Sequence, residues 1–599
     1  MFRPHPSPQR PAHWALRYLG VICCCCLSAC SEDTGGAATA AVDATPIFDV
    51  NSGADVTGTN DTGGVAEDTG SAAQDATAAL GDTLAEDAGA TSVTDTAQAG
   101  DAGAAADTST PIDTTAVLDT TSAQDTAAAA DVAAADVAAA DVAVTTDSGA
   151  DQTSTGADAG PAPQASDDWL RVFGGKGKEI IKAVAADSNG NVYIAGTFNT
   201  PFTIGTESLA PAIPGAPHPD AFVASYDAKG GFRWAKAYGA KNAVVPFEVD
   251  VDGKDRIYVA GYHQSDLTVG GVVLKSKGSE DLFVVCLDAA GNQLWAKNWG
   301  GQYGEGPRDL SVNPGGDIFI TGSYQGSMTA DKITTKTATG FGGLSEIFVL
   351  AIDGVTHEAM WIQTFTGQGH DVGTALVSDK TRNAVIGISF QNNLEVDKAN
   401  GLVFDSGGLN FDAGLARLDD KGKVLWANKY GGKGSEEIVG LDMDTAGNIY
   451  AAGVFSGAAS FGGPPLQGGS VFDIMVAGYT GKGAHVWSVA YKGGSIDHVM
   501  DLQVAGDGVY VSGQFKQDLK IGSVNLKSMA AKYDVLVARF ATKDGAPVWV
   551  KSVGSSGNDQ GAGIGIGGGG GIYVGGHVEG AVTFGGINKP APGGGTDPY

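Results

Sequence analysis

Asp187, Asn189 and Asn191 place oxygen-bearing side chains at alternate positions in the stretch DSNGN. Alternating oxygens begin many calcium loops, but a loop of that kind needs a downstream bidentate acid to complete its shell, and none stands at that spacing. The Asn-Gly pair between apolar runs is explained by a tight hairpin turn. From residue 169 onward the histidines are His218, His263, His357, His370, His485, His498 and His577. They form neither HxH nor HExxH and scatter over different repeats, so a zinc site would need them to converge by chance. His498 beside Asp497 and His370 beside Asp371 are expected at the surface, in connections between repeats. The run GIGIGGGGG at 563–571 has the glycines of a phosphate cradle but no helix after it. No Gly-x-Ser-x-Gly elbow occurs at a strand-to-helix turn, and no carboxylate pair can be nominated for acid–base work. The expectation is a chain that is not an enzyme, with no catalytic residue, no cofactor and no metal ligand.

One cysteine does carry definite chemistry. Arg3, Arg10 and Arg17 precede an apolar stretch, Tyr18 to Ala29, that is built like a secretory signal and is too short to span a membrane. The stretch ends Leu27-Ser28-Ala29-Cys30, which resembles the lipobox of bacterial lipoproteins. The resemblance implies a diacylglycerol thioether on Cys30, cleavage before it, and acylation of the new amine. Several acyl chains anchor stably where one is marginal. Residues 1–29 are therefore expected to be a lipoprotein signal peptide, with the membrane as partner through Cys30. Ser31 in place of Asp leans towards the outer membrane. Cys23 to Cys26 fit the same pattern less well, and Cys286, alone in a strand pattern, reads as a small buried apolar residue.

Residues 30–168 are rich in Ala, Asp, Thr, Gly and Ser, with 26 acids and Phe48 as the one aromatic residue. No Lys or Arg occurs between Arg17 and Arg171. Such a composition cannot bury enough apolar surface to offset the entropy of ordering, so this segment is expected to be a disordered acidic tether. As a flexible coil it spans roughly 65 Å, at about 5–6 Å times the square root of the residue number. The formal charge of the whole chain is −31, and neither part of it offers the basic surface that nucleic-acid binding requires.

From residue 169 the chain repeats. Trp169, Trp234, Trp295, Trp361, Trp426, Trp487 and Trp549 recur at intervals of 61 to 66 residues. Each period carries an acid, an alternating apolar run, a turn and then the Trp, as in DAFVASYDAKGGFRWAKAYG from Asp220. Alternation on both sides of a Gly turn is a β-hairpin. A second hairpin lies upstream, ending in IYIAGTF-like runs such as Val192–Phe198 and Ile257–Tyr262. Four strands per period without helical periodicity predict an all-β, seven-bladed β-propeller of four-stranded antiparallel blades over 169–599. The Trp is expected between adjacent blades. The repeat resembles the bacterial β-propeller repeat (SBBP) family, through DAFVASYDAKGGFRWAKAYG, NGNVYIAGTF and the following Phe202-Thr203-Ile204-Gly205. That resemblance implies the fold and no activity.

Trp169 to Gly175 matches the outer-strand segment WAKNWGG of 295–301, while the seventh period reaches Asp597-Pro598-Tyr599 without its Trp strand. Strand 169–175 is therefore expected to close the last blade, and that blade's third strand is a stub, read as a sequence short by several residues. Ile388 in place of Gly, with the turn Asp379 to Asn383, predicts an irregular fourth blade. The functional expectation is a non-enzymatic, lipid-anchored envelope or cell-surface protein whose propeller binds a protein or glycan. An envelope-assembly scaffold and a polysaccharide-acting enzyme with a channel-side site stand as alternatives, discriminated by the side chains that line the axis.

Overall fold

A computed structural model of the chain describes residues 169–335, 344–584, 587–590 and 597–599. Cys30, the signal segment 1–29 and the tether 30–168 lie outside the described residues.

The described residues are all β, apart from one single-turn 3-10 helix at Met529–Ala531. Sheet one is made of Glu179–Ala186, Val192–Phe198, Asp220–Tyr226 and Phe232–Tyr238. The same four-strand antiparallel order recurs in sheets that open with Val244–Val251, Glu305–Val312, Val372–Ser378, Glu436–Met443 and His498–Ala505. Sheet seven holds Gln560–Ile566, Ile572–Val578 and the short Asp597–Pro598. The first strand of each sheet packs beside the first strand of the next, and that of sheet seven packs beside that of sheet one. The order thus closes on itself, with the first strands innermost.

The core is distributed rather than central. Each apolar cluster lies between two successive sheets, as where Val223 and Trp234 of sheet one meet Val259 and Phe283 of sheet two. The last two clusters join sheet six to seven and sheet seven to one. A third strand must therefore be apolar on both faces. Asp281–Leu287 is buried at every position, with Phe283 and Val285 turned to one seam and Leu282, Val284 and Cys286 to the other. Free Cys286 is a core residue, as its position implied.

Two expectations are corrected. A period holds six strands, not four. After the second strand the chain makes a short extra hairpin, such as Leu267–Val269 with Val272–Leu274 or Met328–Ala330 with Ile333–Thr334. This hairpin hooks the preceding sheet: Gly300 and Gly301, ending the outer strand of sheet two, pair with Thr329 and Met328. Sheet four is regular, not irregular. In sheets one, two, three, five and six a Gly at this level sits between an apolar or Pro residue and a large side chain, as in the row Ile181, Gly196, Phe222. In sheet four the row reads Gly373, Ile388, Gly414, so the bulk sits on the middle strand, and the places of side chains on the other two are taken by Thr321 and Phe404.

Strand structure in 169–175 is confined to Gly174–Gly175, which pair with Thr203 and Phe202 of the first extra hairpin just as Gly300 and Gly301 pair with theirs. Trp169 to Phe173 occupies the outer-strand place of sheet seven without a ladder partner beside it.

Candidate functional site

Every innermost strand carries a bulge at the same level, for example between Pro246 and Glu248, Pro307 and Asp309, and Val499 and Asp501. A bulge tightens the twist and re-aims the side chains that follow it. Here the residues after it converge across the axis: Glu248, Asp309 and Asp501 at one level, Asp250 and Asp442 two residues further on. Glu248 feels Asp501 from across the ring and Asp309 from the neighbouring sheet, and Asp250 feels Asp442. Burial raises all five, with Asp250 and Asp501 pushed up to about 7 and Asp442 to about 6. Asp250, Asp442 and Asp501 therefore straddle their protonated and ionised forms near neutral pH.

Most of their oxygens are engaged. Asp250 accepts from Val251 N at 2.7 Å and from Val312 N of the next sheet at 2.6 Å. Asp309 does the same with Leu310 N and Leu376 N, Asp442 with Met443 N and Val504 N, and Asp501 with Leu502 N and Ile564 N. Each Asp stitches its sheet to its neighbour at the axis. Glu248 alone makes no such bridge, accepting only from Val249 N at 3.1 Å. Among the described residues no three His, Cys, Asp or Glu side chains gather closely enough to hold a metal ion. Sequence reasoning did not find this group, because its members come from four sheets and share no local motif.

A second acidic layer lies in the seams between sheets. In five seams the acid that opens a third strand meets the acid that opens the next first strand: Asp281 with Glu305, Glu346 with Asp371, Asp412 with Glu436, Asp473 with Asp497, Asp534 with Asp559. These pairs are buried, and they cap backbone N–H groups of the connections, as where Gly432 N donates to Glu436 at 3.1 Å and Gln391 N to Asp371 at 3.2 Å. Burial pushes Glu305, Asp371 and Glu436 up to about 8. The expected surface position of Asp371 and Asp497 is therefore wrong: both are fully buried, and His498 is 5% exposed with its imidazole pushed down to about 4 by burial. His263 is also buried and fully occupied, its ring nitrogens facing the Ser265 carbonyl at 2.7 Å and the Asn298 amide at 3.2 Å.

The two faces of the ring differ in kind. One carries the turns between first and second strands and between third and outer strands, most of them closed by a carboxylate on its own backbone. Asp187 accepts from Asn189 N and Asn191 N at 2.9 and 2.8 Å and from the Tyr193 hydroxyl at 2.8 Å, so the oxygens that resembled a calcium loop serve the hairpin. Asp227, Asp252, Asp288, Asp419 and Asp444 repeat the device. On this side every repeat Trp but Trp549 reaches across a seam to the next sheet's turn. Trp234 donates its indole N–H to Ala289 O at 3.1 Å, Trp426 to Gly481 O at 3.3 Å and Trp487 to Thr542 O at 2.8 Å. Trp169 does so to Ala228 O at 3.1 Å. The opposite face carries the connections, which vary in length and hold exposed apolar side chains: Ile213, Tyr303, Leu409, Val471 and Met529.

A closed order of antiparallel sheets strung outward from a shared axis defines a repeat β-propeller. Residues 168–202 match the SBBP family model, described as a beta-propeller repeat. An uncharacterised WD repeat-containing protein of Acanthamoeba polyphaga mimivirus is 21% identical over 453 residues, which cover 62% of this chain and 32% of that protein; the chain thus spans about a third of that relative's length. Among solved structures, the Dos1 propeller aligns at TM-score 0.35 and 10% identity over 72% of this chain and 94% of its own. The quinohemoprotein alcohol dehydrogenase of Comamonas testosteroni aligns at TM-score 0.27 and 11% identity over 70% and 74%. Overlaps of that quality assign neither ligand nor activity.

Proposed function

We propose that this chain is a non-catalytic binding platform: seven sheets acting as the blades of one propeller, held by a lipidated Cys30 and an acidic tether at a bacterial envelope, and presenting a protein- or glycan-binding face. One observation carries the reading. The variable connections and the exposed Ile213, Tyr303, Leu409, Val471 and Met529 share one face, while the other face is closed by short turns of which only one exposes a large apolar residue, Val355. Variable loops on a rigid scaffold are where binding surfaces are built, and apolar side chains exposed together mark contact surfaces.

The test compares the two faces in the full chain. Tyr303→Asp with Leu409→Asp is expected to abolish capture of ligand on a glycan array or by cross-linking at the cell surface. Val355→Asp, at a turn on the opposite face, is expected to leave it intact. Loss with Val355→Asp alone would refute the assignment of the face. Anchoring is read separately: radiolabelled palmitate should enter the wild-type chain and not Cys30→Ser.

The axial carboxylates favour a second reading, a polysaccharide-acting enzyme with its site at the channel. Glu248, free of bridging duty, would be its acid or base. Glycan hydrolysis by the wild-type chain that disappears in Glu248→Gln would replace the platform reading.

A further inference from the structure

Sheet four carries a lysine where the matching ladders of the other sheets have none. Two positions past the acid that opens each third strand, the partners on the outer strand can be compared directly. They read Phe222 with Ala237, Phe283 with Asn298, Phe348 with Thr364, Gly414 with Lys429, Met475 with Ala490, and Leu536 with Ser552. Side chains alternate along a strand, so Lys429 stands on the same face as Gly414 and Asp412. Asp412 is its diagonal neighbour there, a separation that a long side chain spans. The Lys429 ammonium donates to Asp412 Oδ2 at 2.9 Å and to the Asp405 carbonyl.

Asp412 is also one half of a seam pair. Its side chain is 3% exposed, against 40% for Lys429, and its partner Glu436 is fully buried. Asp412 Oδ1 and Glu436 Oε1 are both enclosed, and no N–H group or hydroxyl among the described residues donates to either. The pair is satisfied only when one carboxyl keeps its proton and gives it to the other. Glu436, pushed up to about 8 by burial and then by Asp412, keeps it and donates to Asp412. An amine therefore touches one oxygen of Asp412 while a neutral acid holds the other, and the burial of both carboxyls keeps water from the carbon between them.

We propose that Lys429 and Asp412 join in an intramolecular amide bond, with Glu436 carrying the protons. Lys429 passes one proton to the Asp412 carboxylate, and the freed amine attacks Cγ. Glu436 gives its proton to the oxygen that leaves and recovers one from the new nitrogen. A C–N bond forms, a C–O bond breaks, one water is released, and nothing is oxidised or reduced. Reacting groups held together in this way act at effective concentrations of about 10⁵ M or more. The other four acid pairs have the carboxyls without the amine and stay as acids. The bond fastens the third strand of sheet four to its outer strand at the end away from their turn, so this hairpin cannot be peeled off the rim of the ring. The inference is independent of the proposed platform face and of its ligand.

The test is mass spectrometry of the full chain, unfolded and cut with trypsin. Residues 399–417 and 424–433 should be recovered as one branched species, because the joined Lys429 is no longer a cleavage site. That species should be lighter than the two peptides together by one water, about 18 Da. The separate peptides 399–417 and 424–429 should fall to about a tenth of their level in Lys429→Arg or below. Arginine keeps the ion pair but its guanidinium does not condense, and its exposed position leaves the fold intact, which circular dichroism checks. Separate peptides at full yield from the wild-type chain would overturn the proposal. So would a loss of water that persists in Lys429→Arg, or one confined to 399–417, since that is closure of an aspartate on its own backbone.

Discussion

A tryptophan repeated every 61 to 66 residues is well placed only if something receives it, and the receiver here is a glycine in the neighbouring sheet. Gly291 has φ +80°, and an added Cβ would stand 2.7 Å from the Trp234 ring. Gly291→Ala should therefore cost twice: about 1–2 kcal/mol for left-handed backbone, and about 1–3 kcal/mol for displacing a buried ring. Gly271 separates the two effects, because it has φ +88° and nothing within 4 Å of its added Cβ. Gly271→Ala should lose only the backbone part. Urea unfolding of the two variants checks this; equal losses would mean that the ring contact contributes nothing. In sheet three the receiving position is not glycine. His357 stands there at φ +58°, its ring stacked 4.5 Å from Trp295. Imidazole stacking takes the place of the glycine seat.

At the scale of the element, the legible parts of the sequence were the long strands. Runs such as DAFVASY alternate for seven residues and carry the Trp at a fixed distance, so type, pairing and seam position could all be read. The extra hairpins could not, because strands of two to five residues are too short to show a period. Their one trace was Phe202-Thr203-Ile204-Gly205 and its counterpart Ser460-Phe461-Gly462-Gly463. The fourth sheet was misread for a different reason. Ile388 looked like a lost glycine, but the compensation lay on two other strands, in Gly373 and Gly414, and only pairing brings the three together. The acids that open the first and third strands were visible as letters, whereas their meeting across seams depends on ring closure. The row in sheet four yields a test. Ile388 is fully buried between two glycines that have no side chains to fall into its place. Ile388→Gly should cost about 3–5 kcal/mol, at the upper end for deleting a branched aliphatic side chain. A shift in the urea midpoint at unchanged slope would report it; a loss under about 1 kcal/mol would mean that the sheet collapses onto the site.

For the whole molecule, the seams predict how stability responds to pH. Glu305, Asp371, Glu436, Asp497 and Asp534 are buried, and burial, followed by neighbouring carboxylates, raises them from ordinary values of 4.5 or 3.8 to about 8, 8, 8, 7 and 7. A group raised in the folded state holds more protons folded than unfolded across that window. Its stabilising contribution is full below the unfolded value and is lost as pH climbs through the folded one. His498 acts in the opposite direction. Lowered to about 4 from 6.5, it contributes above 6.5 and its contribution is lost as pH falls towards 4. Between pH 8 and 6.5 the unfolded imidazole goes from mostly neutral to half ionised, so it opposes the five seam acids only towards the lower end, and each of those acts by up to about 1.4 kcal/mol per pH unit. The thermal midpoint should rise by about 3 °C or more when pH is lowered from 8 to 6.5. Glutamine keeps the shape of the protonated acid and cannot ionise, so Glu305→Gln with Glu436→Gln should raise stability at pH 8 and flatten the slope. A midpoint that falls on the same acidification, or a slope unchanged in the double variant, would mean that the seams hold charged carboxylates and that the ring is held together by something else.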